Sequence, residues 1–241
     1  MIAVEFEPTF EAWRAKAREL LRQDAAPERV LWNDASLKQE ALFSPEPPIS
    51  AAAAPVQSVP KEFMTEAAAV ACHRDPARWD LLYRILYRLT HGERDLLKIE
   101  VDADTHLFRN LAKSVRRDMH KMKAFVRFRR VERGGIEDFV AWHQPDHFIV
   151  ERLAPWFVDR FGSMRWSILT PDRSAYWDMQ ALRFGPGVPR SEAPEGDALE
   201  ELWKSYYASI FNPARLMVKA MKSEMAVRYW HTLPEAELIP G

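Results

Sequence analysis

The sequence predicts an α+β fold: a four-stranded, mostly antiparallel sheet in the order β-β-α-β-β, packed with several helices and with helical segments before and after it. Three observations predict it. From Pro60 to residue 123 apolar residues recur at helical spacings of three and four, then at a spacing of two from Ala124. Two turn signals, Gly134-Gly135 and Thr170-Pro171-Asp172-Arg173, each separate a pair of strand-like stretches. Between these hairpins Pro145-Asp146 opens a single helical segment, which supplies a helix for one face of the sheet.

In chain order, Ile2 to Phe6 reads as a short strand. Thr9 then caps a helix to about Gln23, with Phe10, Trp13, Ala17, Leu20 and Leu21 on one face. Val30-Leu31-Trp32 is a second short strand. Residues 44–60 hold five prolines and the run Ala51 to Ala54, which predicts an extended connector. It separates a small N-terminal flanking unit, 1–43, from a main domain, 61–241. Lys61 to His73 is helical. Asp75-Pro76 places a cap before proline at the first helical position of the next helix. That helix carries Trp79, Leu82, Tyr83, Leu86 and Leu89 on one face and stops near Gly92; a third runs from about Asp104 to Lys123. The strands are expected at 124–129, Phe139 to Trp142, Arg165 to Leu169 and Ala175 to Phe184, with the intervening helix ending near Phe161 and interrupted or kinked near Pro155. After a loop over 185–196, Asp197 and Glu200 form a capping-box-like start to a helix ending at Phe211. Asn212-Pro213 opens a final helix to about Trp230.

Composition excludes several functions. Lys and Arg total 34 against 35 Asp and Glu, so no global charge draws the chain to nucleic acid or membrane. Only 8 glycines occur, and neither G-x-G-x-x-G nor G-x-x-x-x-G-K-[ST] is present. The single cysteine, Cys72, cannot close an internal disulfide or supply a cysteine-ligated cluster; it reads as a small buried hydrophobe. The N-terminus lacks the basic and apolar regions of a signal peptide, and no apolar stretch approaches membrane-spanning length. The expectation is a cytoplasmic protein with no membrane contact, no metal and no cofactor.

The clearest anomaly is local charge. Residues 109–133 contain ten Lys or Arg and two acids, a balance of +8 in a chain whose net charge is −1. On the helix, Lys113, Arg117 and Lys121 form an i, i+4, i+8 stripe, flanked by Arg116 and His120 and followed by Lys123. Leu111, Val115, Met119 and Met122 take the apolar face. Arg127 and Arg129 extend the basic surface on the expected strand beside Phe125, where arginine next to an aromatic ring can stack bases. A smaller basic face recurs at Arg215, Lys219 and Lys222, with Arg228 beyond. Such stripes can track phosphates; the alternative for each is a solvated face with scattered ion pairs. His143 and His147 have metal-like spacing, but Pro145 between them prevents one regular helix.

Several strings occur in an order that resembles a known family. They include Ala71-Cys72-His73-Arg74-Asp75-Pro76, Arg78-Trp79-Asp80-Leu81-Leu82-Tyr83-Arg84 and Val115-Arg116-Arg117-Asp118-Met119-His120-Lys121-Met122. Arg165 to Asp172, Phe184-Gly185-Pro186-Gly187, Phe211 to Arg215, and Tyr229-Trp230 with Leu233 to Ala236 continue the series. Over about residues 60 to 239 the chain resembles a bacterial domain of unknown function associated with DNA metabolism and repair. That resemblance implies fusion to an iron–sulfur uracil-DNA-glycosylase-like domain, or proximity to a radical-SAM DNA-repair protein. It carries over no catalytic residues.

The resulting expectation is a DNA-binding accessory module in DNA repair, with DNA as partner. One alternative is a protein-interaction domain that docks the glycosylase-like or radical-SAM partner through surface tryptophans. Another is an enzyme acting on a damaged or modified base through Asp146, His147, His120 or Asp178.

Overall fold

Two parallel strands joined by a helix open the chain. The computed structural model describes residues 1–34, 58–133 and 136–192. Strand β1 (Ile2–Phe6) lies beside β2 (Val30–Asp34), with Ile2 opposite Val30. Helix α1 (Phe10–Arg22) makes the crossover, and its first turn is closed by Ala12 N–H donating to Thr9 Oγ1 at 3.2 Å. Trp13, Ala17 and Leu20 face inward, as the apolar spacing predicts. Three helices follow: α2 (Lys61–Val70), α3 (Arg78–Thr90) and α4 (Ala103–Phe125). By their contacts the described residues fall into two compact units that divide between Arg117 and Asp118; α4 begins in the first, and its last turns belong to the second.

The first unit is built on aromatic packing. Phe6 meets Trp32 and Trp79 edge-on at 5.4 and 5.1 Å, and Trp13 lies 6.4 Å from Trp79. Such pairs add about 0.5–1.5 kcal/mol each beyond the area they bury. The Tyr83 hydroxyl donates to Ala25 O at 2.7 Å, so its polar end is satisfied inside the core. A buried ion pair ties β2 to α3. Arg78 Nη2 stands 3.3 Å from Asp34 Oδ2, and Trp79 Nε1 donates to the same oxygen at 2.8 Å. On the outer side of α3, Arg88 bonds Asp102, Glu93 and Asp104. Its hydrogen bonds hold the Asp102 carboxyl down at about 2. Asp102 Oδ1 in turn accepts from Thr105 N–H at 2.9 Å, capping the start of α4.

The second unit corrects the predicted sheet. It is mixed and five-stranded, in the order β3 (Arg129–Arg133), β4 (Ile136–Trp142), β5 (Trp166–Leu169), β6 (Arg173–Trp177) and β7 (Leu182–Pro186). The chain also forms the separate two-stranded parallel sheet described above. Helix α5 (Val150–Phe161) carries the chain from β4 back to the same end of the sheet, so β5 runs parallel to β4, with Phe139 opposite Trp166. Pro155 lies inside α5 without ending it. The extra strand arises within 175–184, expected as one element. Asp178 Oδ1 accepts from Gln180 N–H at 2.9 Å and Ala181 N–H at 2.7 Å, and its other oxygen pairs with Arg183. This folds the strand into the β6–β7 hairpin without glycine or proline. The strand expected over 124–129 is also displaced. Residues 124–125 still belong to α4, and β3 begins only at Arg129.

Met179, in the β6–β7 turn, has φ +71°, a conformation that costs a side chain roughly 1–2 kcal/mol. Glycine removes that strain but orders a freer chain, at about 0.5–1 kcal/mol. Met179→Gly is therefore expected to raise unfolding stability by up to about 1 kcal/mol in urea. A loss would mean that the methionine side chain contributes more than its backbone strain costs. Gly134-Gly135, most of the connector, and the helices expected from Asp197 and Asn212 lie outside the described residues.

Candidate nucleic-acid interface

Helix α4 has opposite ends in charge. Its start is capped by Asp102, and Asp104 lies in its first turn, while the basic residues gather along the rest. That polarity matches the helix dipole, which favours anions at the N-terminus and cations toward the C-terminus. Of the expected apolar face, Val115 and Met122 are buried and Leu111 and Met119 half-buried; Phe108 and Ala112 are buried beside them.

The cations divide by what they touch. Arg116 Nη1 donates to both oxygens of Glu66, at 2.5 and 2.6 Å. Arg109 donates to Leu97 O at 2.5 Å and lies within 4.0 Å of Glu62 and Glu100. Lys113 and Arg117 differ. Both are exposed, and neither has a carboxylate partner among the described residues. One helical turn separates them, about 6 Å along the axis.

The remaining α4 cations lie in the second unit. His120 is exposed, Lys121 is half-buried and has an interaction partner, and Lys123 stands over the Trp156 ring at 4.8 Å. Arg127 is not on a strand. Its guanidinium turns back on the end of α4, donating to Ala124 O at 2.7 Å. There it satisfies a carbonyl that the helix leaves open. Arg129 is half-buried at the start of β3. The ring expected beside the arginines, Phe125, is instead the half-buried last residue of α4, while Phe128 packs inward with Phe157, Phe161 and Trp166. Arg215, Lys219, Lys222 and Arg228 lie outside the described residues.

The groups considered for catalysis are dispersed in role. Asp178 holds the β6–β7 turn, and the Ala181 and Gln180 N–H groups lower its carboxyl below the usual range. His147 is buried, and its backbone N–H donates to the buried Asp118 Oδ2 at 2.9 Å. His143 is buried at the end of β4, where its N–H donates to Leu169 O at 2.9 Å. Asp146 is half-buried and His120 exposed. Among the described residues no group of three or more His, Cys, Asp or Glu is placed to hold a metal ion. No helix among them is long and apolar enough to cross a membrane. Cys72 is half-buried rather than buried, with Sγ 3.6 Å from Ala68 O.

Tryptophan serves the interior. Trp13, Trp32, Trp79 and Trp166 are buried, and Trp142, Trp156 and Trp177 half-buried; none of the described tryptophans is fully exposed. Two residues escaped the sequence reading, Tyr176 and Arg183. They form a cross-strand pair between β6 and β7. The signal that would have revealed them is the Asp178 turn, since without it both fall on a single strand.

A family model described as Domain of unknown function (DUF4130) matches residues 76–235. No curated protein and no solved structure matches the chain.

Proposed function

Taking as premise that the chain belongs to the DUF4130 family, whose description assigns no activity, we propose that it is a DNA-binding module. In this reading the basic residues of α4 contact the phosphate backbone. The observation that carries it is Lys113 with Arg117: exposed, one turn apart, and without carboxylate partners among the described residues. Neighbouring cations such as Arg109 and Arg116 already have acidic partners. A cation left in solvent beside another costs repulsion that an anionic polymer removes, and counterion release adds to the gain. His120, Lys121 and Lys123 continue the basic sequence along the same helix. The resemblance to a domain associated with DNA metabolism and repair supports DNA as the polymer and an accessory role in repair as the context.

The test is fluorescence anisotropy with a labelled duplex at several salt concentrations. Wild type is expected to bind at low salt and to weaken steeply as salt rises. Lys113→Gln with Arg117→Gln should weaken binding and flatten the salt slope by about 2, one for each phosphate that is no longer neutralised. Failure of wild type to bind at low salt, or a double variant with unchanged affinity and slope, overturns the reading.

A further inference from the structure

The strand register of the second unit assembles a row of side chains that no linear reading of the sequence brings together. Arg129 on β3 lies opposite Val140, Val140 opposite Ser167, Ser167 opposite Tyr176, and Tyr176 opposite Arg183. Residues directly opposite share a face, so these five cross the whole sheet on one side. The span from β3 to β7 is about 19 Å, four strand spacings.

This is the side turned away from α5. The alternate row runs through Phe139, Trp166, Trp177 and Leu182. Trp166 packs on Phe157 of α5 at 6.2 Å, and Trp177 Nε1 donates to Gly162 O just beyond that helix.

The row has a specific chemistry. Its ends are arginines and its one ring is Tyr176. Val140 is buried; Arg129, Ser167 and Tyr176 are half-buried; and Arg183 has 67% of its side chain exposed. Gly185 lets the ring lie close to β7, since a Cβ there would meet Tyr176 Cε2 at 3.0 Å. The tyrosine thus lies against backbone on one side, flanked by the small Ser167. Two carboxylates adjoin the row. Asp138, on the same face of β4, accepts from its neighbour Phe139 N–H, and Asp178 pairs with Arg183.

We propose that this face of the sheet is a platform for single-stranded DNA, on which Tyr176 stacks a base and Arg129 and Arg183 take flanking phosphates. A ring between two cations suits a polymer with alternating flat bases and anions; an acidic peptide offers the anions but no π-face. Stacking on one ring is tolerant of sequence, so the surface would favour unpaired DNA without reading its bases. A duplex hides its base faces and cannot use the ring. The inference rests on the reading of the chain as a DNA-binding module, but it assigns a different surface and a different form of DNA from α4.

The experiment measures anisotropy of labelled oligothymidine and of a duplex with the full chain. Tyr176→Leu is expected to weaken oligothymidine binding about tenfold, the loss of one stacked base. Its duplex affinity and its salt slope should stay as in wild type, because stacking releases no counterions. Tyr176→Phe, which keeps the ring, should bind as wild type does. Arg183→Gln, at an exposed site whose cation leaves Asp178 for a phosphate in this reading, should lower the single-strand slope by about 0.7, with urea unfolding of the variant showing that the β6–β7 hairpin is kept. Oligothymidine binding unchanged in both Tyr176→Leu and Arg183→Gln overturns the platform and leaves the α4 reading standing. Weakening at Tyr176 with no effect of the Lys113 and Arg117 substitutions on duplex binding does the reverse. Wild type that binds neither oligonucleotide at low salt overturns both.

Discussion

Asp34→Ala is expected to destabilise the first unit by about 3–5 kcal/mol, the cost of stranding one member of a buried ion pair. Asp34 and Arg78 are each 2% exposed. The aspartate oxygen receives both the guanidinium and the Trp79 indole N–H, at 3.3 and 2.8 Å. Burial pushes the Arg78 guanidinium below its ordinary value, and Asp34 opposes that shift. Alanine would leave a cation and an indole donor in the core without their shared acceptor. Urea denaturation followed by tryptophan fluorescence measures the loss. Asp34→Ala with Arg78→Met should recover part of it, since an apolar side chain needs no counter-charge. A single variant as stable as wild type would show that Arg78's other bonds, to Ala71 O and Asp75 O, are sufficient for it.

Gly187→Ala is expected to cost about 1–3 kcal/mol or more through overpacking. A Cβ at 187 would fall 1.9 Å from Pro171 O and 2.5 Å from Pro171 C. Both atoms are backbone, in the Thr170 to Arg173 turn that Thr170 Oγ1 closes by donating to Arg173 O at 2.6 Å. Neither side can yield alone. Val188 N–H donates to Thr170 O at 2.8 Å, and Trp142 Nε1 donates to Val188 O at 3.0 Å. The methyl group would push apart the segment after β7 and the turn between β5 and β6, breaking those bonds. Thermal unfolding of Gly187→Ala measures the effect. A midpoint equal to that of wild type would show that the two segments separate without loss.

Elements specified by local pattern were legible in the sequence, and pairings between distant residues were not. Helix α1 follows from Thr9 and the spacing of Trp13, Ala17 and Leu20, all close in the chain. The Thr170 turn carries ordinary turn chemistry, whereas the strand expected over 124–129 begins only at Arg129 because α4 continues to Phe125. The β6–β7 turn does not: Asp178-Met179-Gln180 lacks glycine and proline, and the aspartate side chain supplies the reversal. A strand was therefore missed, and with it the register that aligns Tyr176 with Arg183. The candidate interface on α4 was visible because a helical stripe is a local pattern. Which of its cations are neutralised was hidden, because Glu66, the partner of Arg116, lies 50 residues away.

The Asp34–Arg78 contact also bears on where this molecule can be divided. The family match covers 76–235 and so includes Arg78 and Trp79 but not Asp34. Phe6, Trp13 and Trp32, whose rings pack around Trp79 and Tyr83, likewise precede it. A fragment trimmed to the matched residues would inherit a guanidinium and two aromatic side chains shaped for neighbours it no longer possesses. The segment that identifies kinship and the segment that can live as an independent folding module are thus different lengths of chain, and the first 34 residues belong to the second.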